Sequence, residues 1–243
     1  MSRAEVRRAD VTEPAAARGL VWTVVVPLKS LSGAKSRLAP WLGQQAREEL
    51  MRAMVGDVLA AAAAASRVDR IVIVTGDPAM VEVARDVLGQ APDVVLDVVE
   101  EPEPPGLNPA VHAGIDAARR LSPSNGVGVL LGDLPALRPA ELDEALGAAG
   151  RLPRGVVADA AGTGTTLLTA LPGVAMEPAF GPGSAALHRA RGHATIPTAP
   201  ASGLSHDVDV PADLAAAAAI GVGPRTRQIA FPARPPQPGP VTV

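Results

Sequence analysis

The chain of 243 residues has no cysteine and no tyrosine, and only two phenylalanines and two tryptophans. Without cysteine there is no disulfide, no thiolate nucleophile and no thiolate-held metal. With so few aromatics, the core must be built from Val, Leu, Ile and Ala, and there is no platform for stacking single-stranded nucleic acid. The net charge of −3 supplies no cationic field to recruit a polyanion, so nucleic acid is not an expected partner. The longest candidate for a bilayer span, residues 58–65, falls far short of the roughly 20 residues needed, so no membrane association is expected. The first residues mix Arg3, Arg7 and Arg8 with Glu5, Asp10 and Glu13 around no apolar segment, unlike a secretory leader. Histidine is scarce, at four residues, and the order of residues shows no Ser-His-Asp or Cys-His arrangement. These absences point to a cytoplasmic protein.

What is present is an apolar fraction of 47% and a mean hydropathy of +0.21, enough for a full core in one large α/β domain. The stretch from Val24 to Leu38 organises the chain. A short β-branched run, residues 21–26, reads as a strand buried on both faces, and Pro27 ends it. A loop of small residues follows, carrying Lys29, Lys35 and Arg37. Apolar residues at helical spacing predict a helix over 44–65. Residues 71–75 form a second buried strand, and Asp77-Pro78 caps and opens the next helix. A third strand spans 94–99. An acidic, proline-rich loop leads to Asn108-Pro109, read as another cap and first-turn pair. A fourth strand, 127–131, runs into Gly132-Asp133-Leu134-Pro135. This β-α alternation predicts a mostly parallel sheet with helices on both faces.

The pattern then changes. Residues 155–158 and 165–170 read as two strands joined by a turn, and Phe180 to Ser184 opens a short helix. A short strand at 194–197 and a helix over 211–220 follow. The boundaries expected are a loose tail over 1–19, the folded domain over 20–221 and a proline-rich tail over 222–243.

Three groups of residues suggest chemistry. Lys35 and Arg37 suit triphosphate oxygens, because charge-assisted contacts to phosphate are strong and Arg can be bidentate. The loop is not a Walker A loop, since Ala34 stands where glycine is required, and it lacks G-x-G-x-x-G. Asp133 lies past the carboxyl end of a buried strand, where ligands of open α/β sheets bind; a carboxylate there is a natural Mg²⁺ ligand. Asp207 and Asp209, two apart on an extended segment, share one face and could complete the metal site; capping of the helix at Pro211 is the alternative, with Asp213 a rival capper. The segments DAAGTGTT (159–166) and FGPGS (180–184) offer backbone N–H and hydroxyl donors to a second, smaller anion. Together these imply nucleotidyl transfer, in which an oxyanion attacks an α-phosphate and pyrophosphate leaves.

The blocks PLKSLSGAKSRLA, TGD, GLNPA, LLGDLPAL, DAAGTGTTLL, FGPGSAALH and SHDVDVPADL, collinear from about residue 22 to 220, resemble the guanylyltransferases of coenzyme F-420 biosynthesis, called CofC in archaea and FbiD in actinobacteria. The resemblance implies a Rossmann-like α/β nucleotidyltransferase domain of the glycosyltransferase-A type, with a mixed, mostly parallel sheet. It implies GTP and Mg²⁺, with phosphoenolpyruvate as acceptor in the actinobacterial branch and 2-phospho-L-lactate in the archaeal one. The Ala/Arg/Pro-rich composition favours the former. Carried onto this chain, the acceptor would meet Thr166 with Thr165, Gly181 and Ser184. The metal would meet Asp133, Asp207 and Asp209. The nucleotide would meet Leu28, Lys29, Lys35, Thr75 and Asn108, with Lys35, Arg37 and Asp133 catalytic. Transfer of an unstable product to a downstream transferase would follow. The alternatives are another nucleotidyltransferase of the same fold, acting on a molybdopterin or a sugar, and a nucleotide-binding regulatory module without turnover.

Overall fold

The computed structural model describes residues 19–31 and 35–231; the expectations for residues 1–18 and 232–243 lie outside them, as do Ser32, Gly33 and Ala34. At the centre is β1 (Trp22–Pro27), buried at every position, Thr23 included, as a strand covered on both faces is. It pairs in parallel with β2 (Val68–Val74) on one side and with β4 (Gly126–Leu130) on the other. β3 (Val95–Val99) adds to β2 in parallel. Beyond β4, β6 (Thr165–Ala170) runs antiparallel both to β4 and to β5 (Arg154–Ala158), and β7 (Ala194–Thr195) lies parallel to β5. The strand order is β3-β2-β1-β4-β6-β5-β7, the mixed, mostly parallel sheet expected from the pattern.

The alternation of β1 divides the core. Val24 and Val26 pack with α1 (Gln44–Ala63), α2 (Pro78–Leu88) and α4 (Pro139–Ala149), through Val58, Leu59, Met80 and Leu142. Val25 points to the other face, against Val111 and Ile115 of α3 (Leu107–Leu121). The chain leaves β1 to build β2 and β3 on one side, then returns to place β4 on the other. The loops leaving β1 and β4 therefore diverge, and a crevice opens between them beyond the carboxyl ends of the strands.

A separate apolar cluster welds three distant loops together there. Leu38 follows the cationic loop, Ala136 follows Asp133, and Val208 lies between Asp207 and Asp209; all three are buried with Leu50 and Met54 of α1 and Ala217 of α6 (Pro211–Ile220). Gly203 permits the closest approach, since a Cβ at that position would lie 1.9 Å from the Ala136 carbonyl oxygen.

Two expectations are corrected. Residues 224–230, placed in the C-terminal tail, form α7 (Pro224–Ala230), which packs on α1. Its first amides are capped from outside the helix: the carboxylate of Asp57, buried on α1, accepts from the backbone N of Arg225 at 3.1 Å and of Thr226 at 2.8 Å. Asp57→Ala strands those donors and is expected to cost about 1–3 kcal/mol, read as a lower urea midpoint; an unchanged midpoint would contradict the latch. Second, Asn108 is not the cap of α3. That position is Gly106, and the Asn108 side chain is used elsewhere.

Candidate active site

Lys35 takes up a left-handed backbone conformation, φ 50° and ψ 46°, at the start of a 3-10 turn over Ser36–Leu38. It is the one non-glycine residue with positive φ among the described residues, a strained geometry that persists only where its surroundings impose it. The imposing feature is electrostatic. The Lys35 ammonium donates to Asp133 Oδ2 at 2.6 Å and to Asp209 Oδ1 at 3.0 Å, with its side chain only 7% exposed. Arg37, on the surface, donates to the second oxygen of Asp209 at 3.0 Å.

Both aspartate loops are built to deliver these carboxylates. Asp133 stands three residues beyond β4, and its carbonyl accepts from the backbone N of Val208 at 3.1 Å, joining the two acidic segments directly. Val208 is buried, so the extended alternation turns Asp207 and Asp209 outward on a common face. Asp213 caps α6, accepting from the backbone N of Asp209 at 2.9 Å and of Val210 at 2.8 Å. The pair is thereby released from capping.

Charge crowding shifts these groups. Burial alone would lower Lys35, but the charges of Asp133 and Asp209 outweigh it, and its pKa rises above the ordinary 10.5; the side chain is a fixed cation. Burial would raise Asp209, but Lys35 and Arg37 draw it below the usual carboxylate range. Asp207 has no such partner. Burial, then the charges of Asp133, Asp209 and Asp159, pushes it up to about 6. Its folded pKa thus lies above its unfolded one. Its contribution to stability is fully present below about pH 4 and is lost as pH rises through about 6. Without metal, Asp207→Asn is expected to remove that decline and raise the melting temperature at pH 7; a variant less stable than the parent at pH 7 would contradict it.

A cleft of about 530 Å³ lies over this cluster. Lys29, Lys35, Arg37, Asp133 and Asp209 line it. Glu101 and Pro105 also line it and were not singled out from the sequence, because their loop carries no regular pattern; Glu101 Oε1 accepts from the backbone N of Gly106, the first residue of the GLNPA block, at 3.1 Å and shapes that wall. The remaining nucleotide candidates sit differently. Leu28 is buried in the core. Thr75 is buried and its hydroxyl accepts from the backbone N of Asp77 at 3.1 Å. Both polar atoms of Asn108 are spent on Phe180, donating to its carbonyl at 2.9 Å and accepting from its N at 2.8 Å, so Asn108 clamps the FGPGS segment instead of facing the cleft. Asp77 anchors the cationic loop by accepting from the backbone N of Leu31 at 2.9 Å.

The acceptor candidates form a neighbouring group that does not line the cleft. Ser184, the first residue of α5 (Ser184–Ala190), lies with its hydroxyl 3.1 Å from that of Thr165. Gly181 and Gly183, both with positive φ, make the turn that brings it there. The next residue on β6 points the other way: the Thr166 hydroxyl is fully buried with no hydrogen-bond partner among the described residues. Asp159, missed as a charge in this region, accepts from the backbone N of Thr163 at 2.8 Å and of Gly164 at 2.7 Å, and its field reaches Asp207.

The donor set also bears on a divalent cation. Among the described residues, no three acidic or histidine side chains converge closely enough to hold a metal by themselves. The Lys35 ammonium occupies the position between Asp133 and Asp209. Asp133 nevertheless keeps one oxygen, Oδ1, buried and without a partner among the described residues. One or two carboxylates joined by substrate phosphates is how Mg²⁺ is ordinarily held, and the residues present fit that role.

A mixed α/β sheet with a cationic loop and clustered aspartates at its switch point suits a nucleotidyltransferase. The profile described as "Guanylyl transferase CofC like" matches residues 22–229, and the chain belongs to that family. A phosphoenolpyruvate guanylyltransferase of Sanguibacter keddieii is 50% identical over 244 aligned residues, covering 86% of this chain and 84% of its own. One of Streptomyces scabiei is 44% identical over 211 residues, covering 84% and 94%. A solved structure from Desulfovibrio desulfuricans G20, assigned to the nucleotide-diphospho-sugar transferases, superposes with a TM-score of 0.50 at 18% identity over 64% of this chain and 65% of its own, a likeness of fold alone. No helix among the described residues is long and apolar enough to cross a membrane.

Proposed function

We propose that the protein transfers GMP from GTP to phosphoenolpyruvate, giving enolpyruvyl-2-diphospho-5'-guanosine and pyrophosphate. The observation that carries this reading is the shared name and near-full coverage of relatives 44–50% identical to the chain. The chemistry suits the site. An oxygen of the acceptor phosphate attacks the α-phosphorus of GTP, and the bond to the α–β bridging oxygen breaks. The nucleophile is already an anion near neutral pH, so no general base is required. The cleft accordingly offers fixed cations: Lys35, held charged by its two aspartates, with Lys29 and Arg37 for the triphosphate. Asp133 with Asp207 or Asp209 would hold Mg²⁺, which would supply charge neutralisation on the reacting and departing phosphates. Thr165, Gly181 and Ser184 would hold the acceptor; Thr166, also a candidate, faces away from that pair and would have to reach it from the other face of β6. The resemblance supports placing the step in coenzyme F-420 biosynthesis, with the product passed to a downstream transferase; the location proposed on composition is the cytoplasm.

Purified protein with GTP, Mg²⁺ and phosphoenolpyruvate is expected to release pyrophosphate faster than with 2-phospho-L-lactate at equal concentration. Release with the lactate compound alone would overturn the acceptor, and no release with any three-carbon phosphate would overturn the reading.

A further inference from the structure

His188, on α5, is fully buried and touches the hydroxyl pair described above. Its Nδ1 lies 2.9 Å from Thr165 Oγ1, and its Nε2 lies 2.9 Å from the backbone N of Ala179. A backbone N–H can only donate, so Nε2 must present its lone pair. A neutral ring then carries its proton on Nδ1 and donates it to Thr165. The ring is neutral in the working range, because burial, then His193 and Arg191, lower it to about 4. Phe180 packs edge-on against it, with ring centroids 5.2 Å apart.

The proton count has a consequence. Thr165 and Ser184 together carry two hydroxyl protons, and one is used between them across 3.1 Å. Were Nδ1 an acceptor, the second would go to the imidazole and none would remain. Because Nδ1 donates, one hydroxyl proton is left over. Both hydroxyls belong to residues at most 4% exposed, and a buried donor without an acceptor is costly. We propose that His188 is a positioning residue whose Nδ1–H tautomer makes the Thr165–Ser184 pair a net donor to an anionic oxygen of the acceptor substrate. The proposal rests on the reading of Thr165 and Ser184 as acceptor-binding residues.

The tautomer is read by ¹⁵N NMR of protein labelled in its four histidines, with His188→Phe assigning the signal. The expected result is a protonated Nδ1 and an unprotonated Nε2, with the Nδ1 signal shifting when phosphoenolpyruvate is added without GTP. The opposite tautomer, or no shift, would overturn the proposal. A shift in a protein that releases no pyrophosphate would uphold it while refuting the guanylyltransferase reading. In kinetics, His188→Phe keeps the ring and both hydroxyl protons but removes the Nδ1–H that fixes their direction, and is expected to raise KM for phosphoenolpyruvate about tenfold, with KM for GTP unchanged and kcat within about threefold. Equal rises in both KM values, or an unchanged acceptor KM, would overturn it. Should that variant not fold, Thr165→Val removes the hydroxyl at constant shape and must show the same split.

Discussion

Asp133→Asn is expected to lower kcat about a hundred- to a thousandfold while leaving the fold intact, the scale seen when one preorganised charge-stabilising group is removed from a transition state. The substitution keeps the shape of the side chain, and the amide oxygen can still accept from Lys35. What it removes is the negative charge on the one carboxylate that joins the cationic loop to the end of β4. It also removes the anionic character of the buried, unpartnered Oδ1, the atom best placed to meet a divalent cation. Circular dichroism and the melting temperature verify the fold, and steady-state pyrophosphate release reads the chemistry. A folded variant with kcat within about threefold of the parent would remove Asp133 from the mechanism.

Lys35→Met is expected to lower kcat by a similar factor and, unlike Asp133→Asn, to destabilise the protein. Lys35 is the cation shared by Asp133 and Asp209, and without it those carboxylates face each other with Asp207 close by. Breaking a fully buried pair costs several kcal/mol; here Asp209 is 43% exposed and solvent screens part of the charge, so a loss of about 1–2 kcal/mol is expected. A divalent cation is the natural replacement for the lost ammonium. Added Mg²⁺ is therefore expected to raise the melting temperature of Lys35→Met more than that of the parent. Equal responses to Mg²⁺, or wild-type turnover by the variant, would contradict the role given to Lys35.

The sheet was legible because its central strands are buried on both faces, which forces short unbroken runs such as Val24–Val26 and Ile71–Val74. The acid-and-cation site was legible in outline for a related reason. Lys35 and Asp133 each lie in the loop that follows such a strand, and the topology of parallel sheets brings those loops together. The apolar residues that weld them, Leu38, Ala136 and Val208, carry no pattern of their own, so the closeness of Asp209 to Lys35 emerges only from tertiary packing. Where the sequence misleads, a long-range side chain decides the outcome. Asn108 has the local look of a cap, yet Phe180, 72 positions away, takes both its polar atoms. Residues 224–230 have the composition of a tail, yet Asp57, 169 positions from Thr226, caps them into a helix. His188 bears no signal in the sequence because its significance lies in which nitrogen faces an amide, a matter of geometry alone.

The most direct test of nucleotidyl transfer at this site is ³¹P NMR of GTP, phosphoenolpyruvate and Mg²⁺ incubated with the parent protein and with Asp133→Asn. The account predicts that a new diphosphodiester and pyrophosphate appear in equal amounts with the parent, while GTP persists with the variant. GTP hydrolysed to GDP and phosphate, or a diphosphodiester formed as fast by Asp133→Asn, would contradict it.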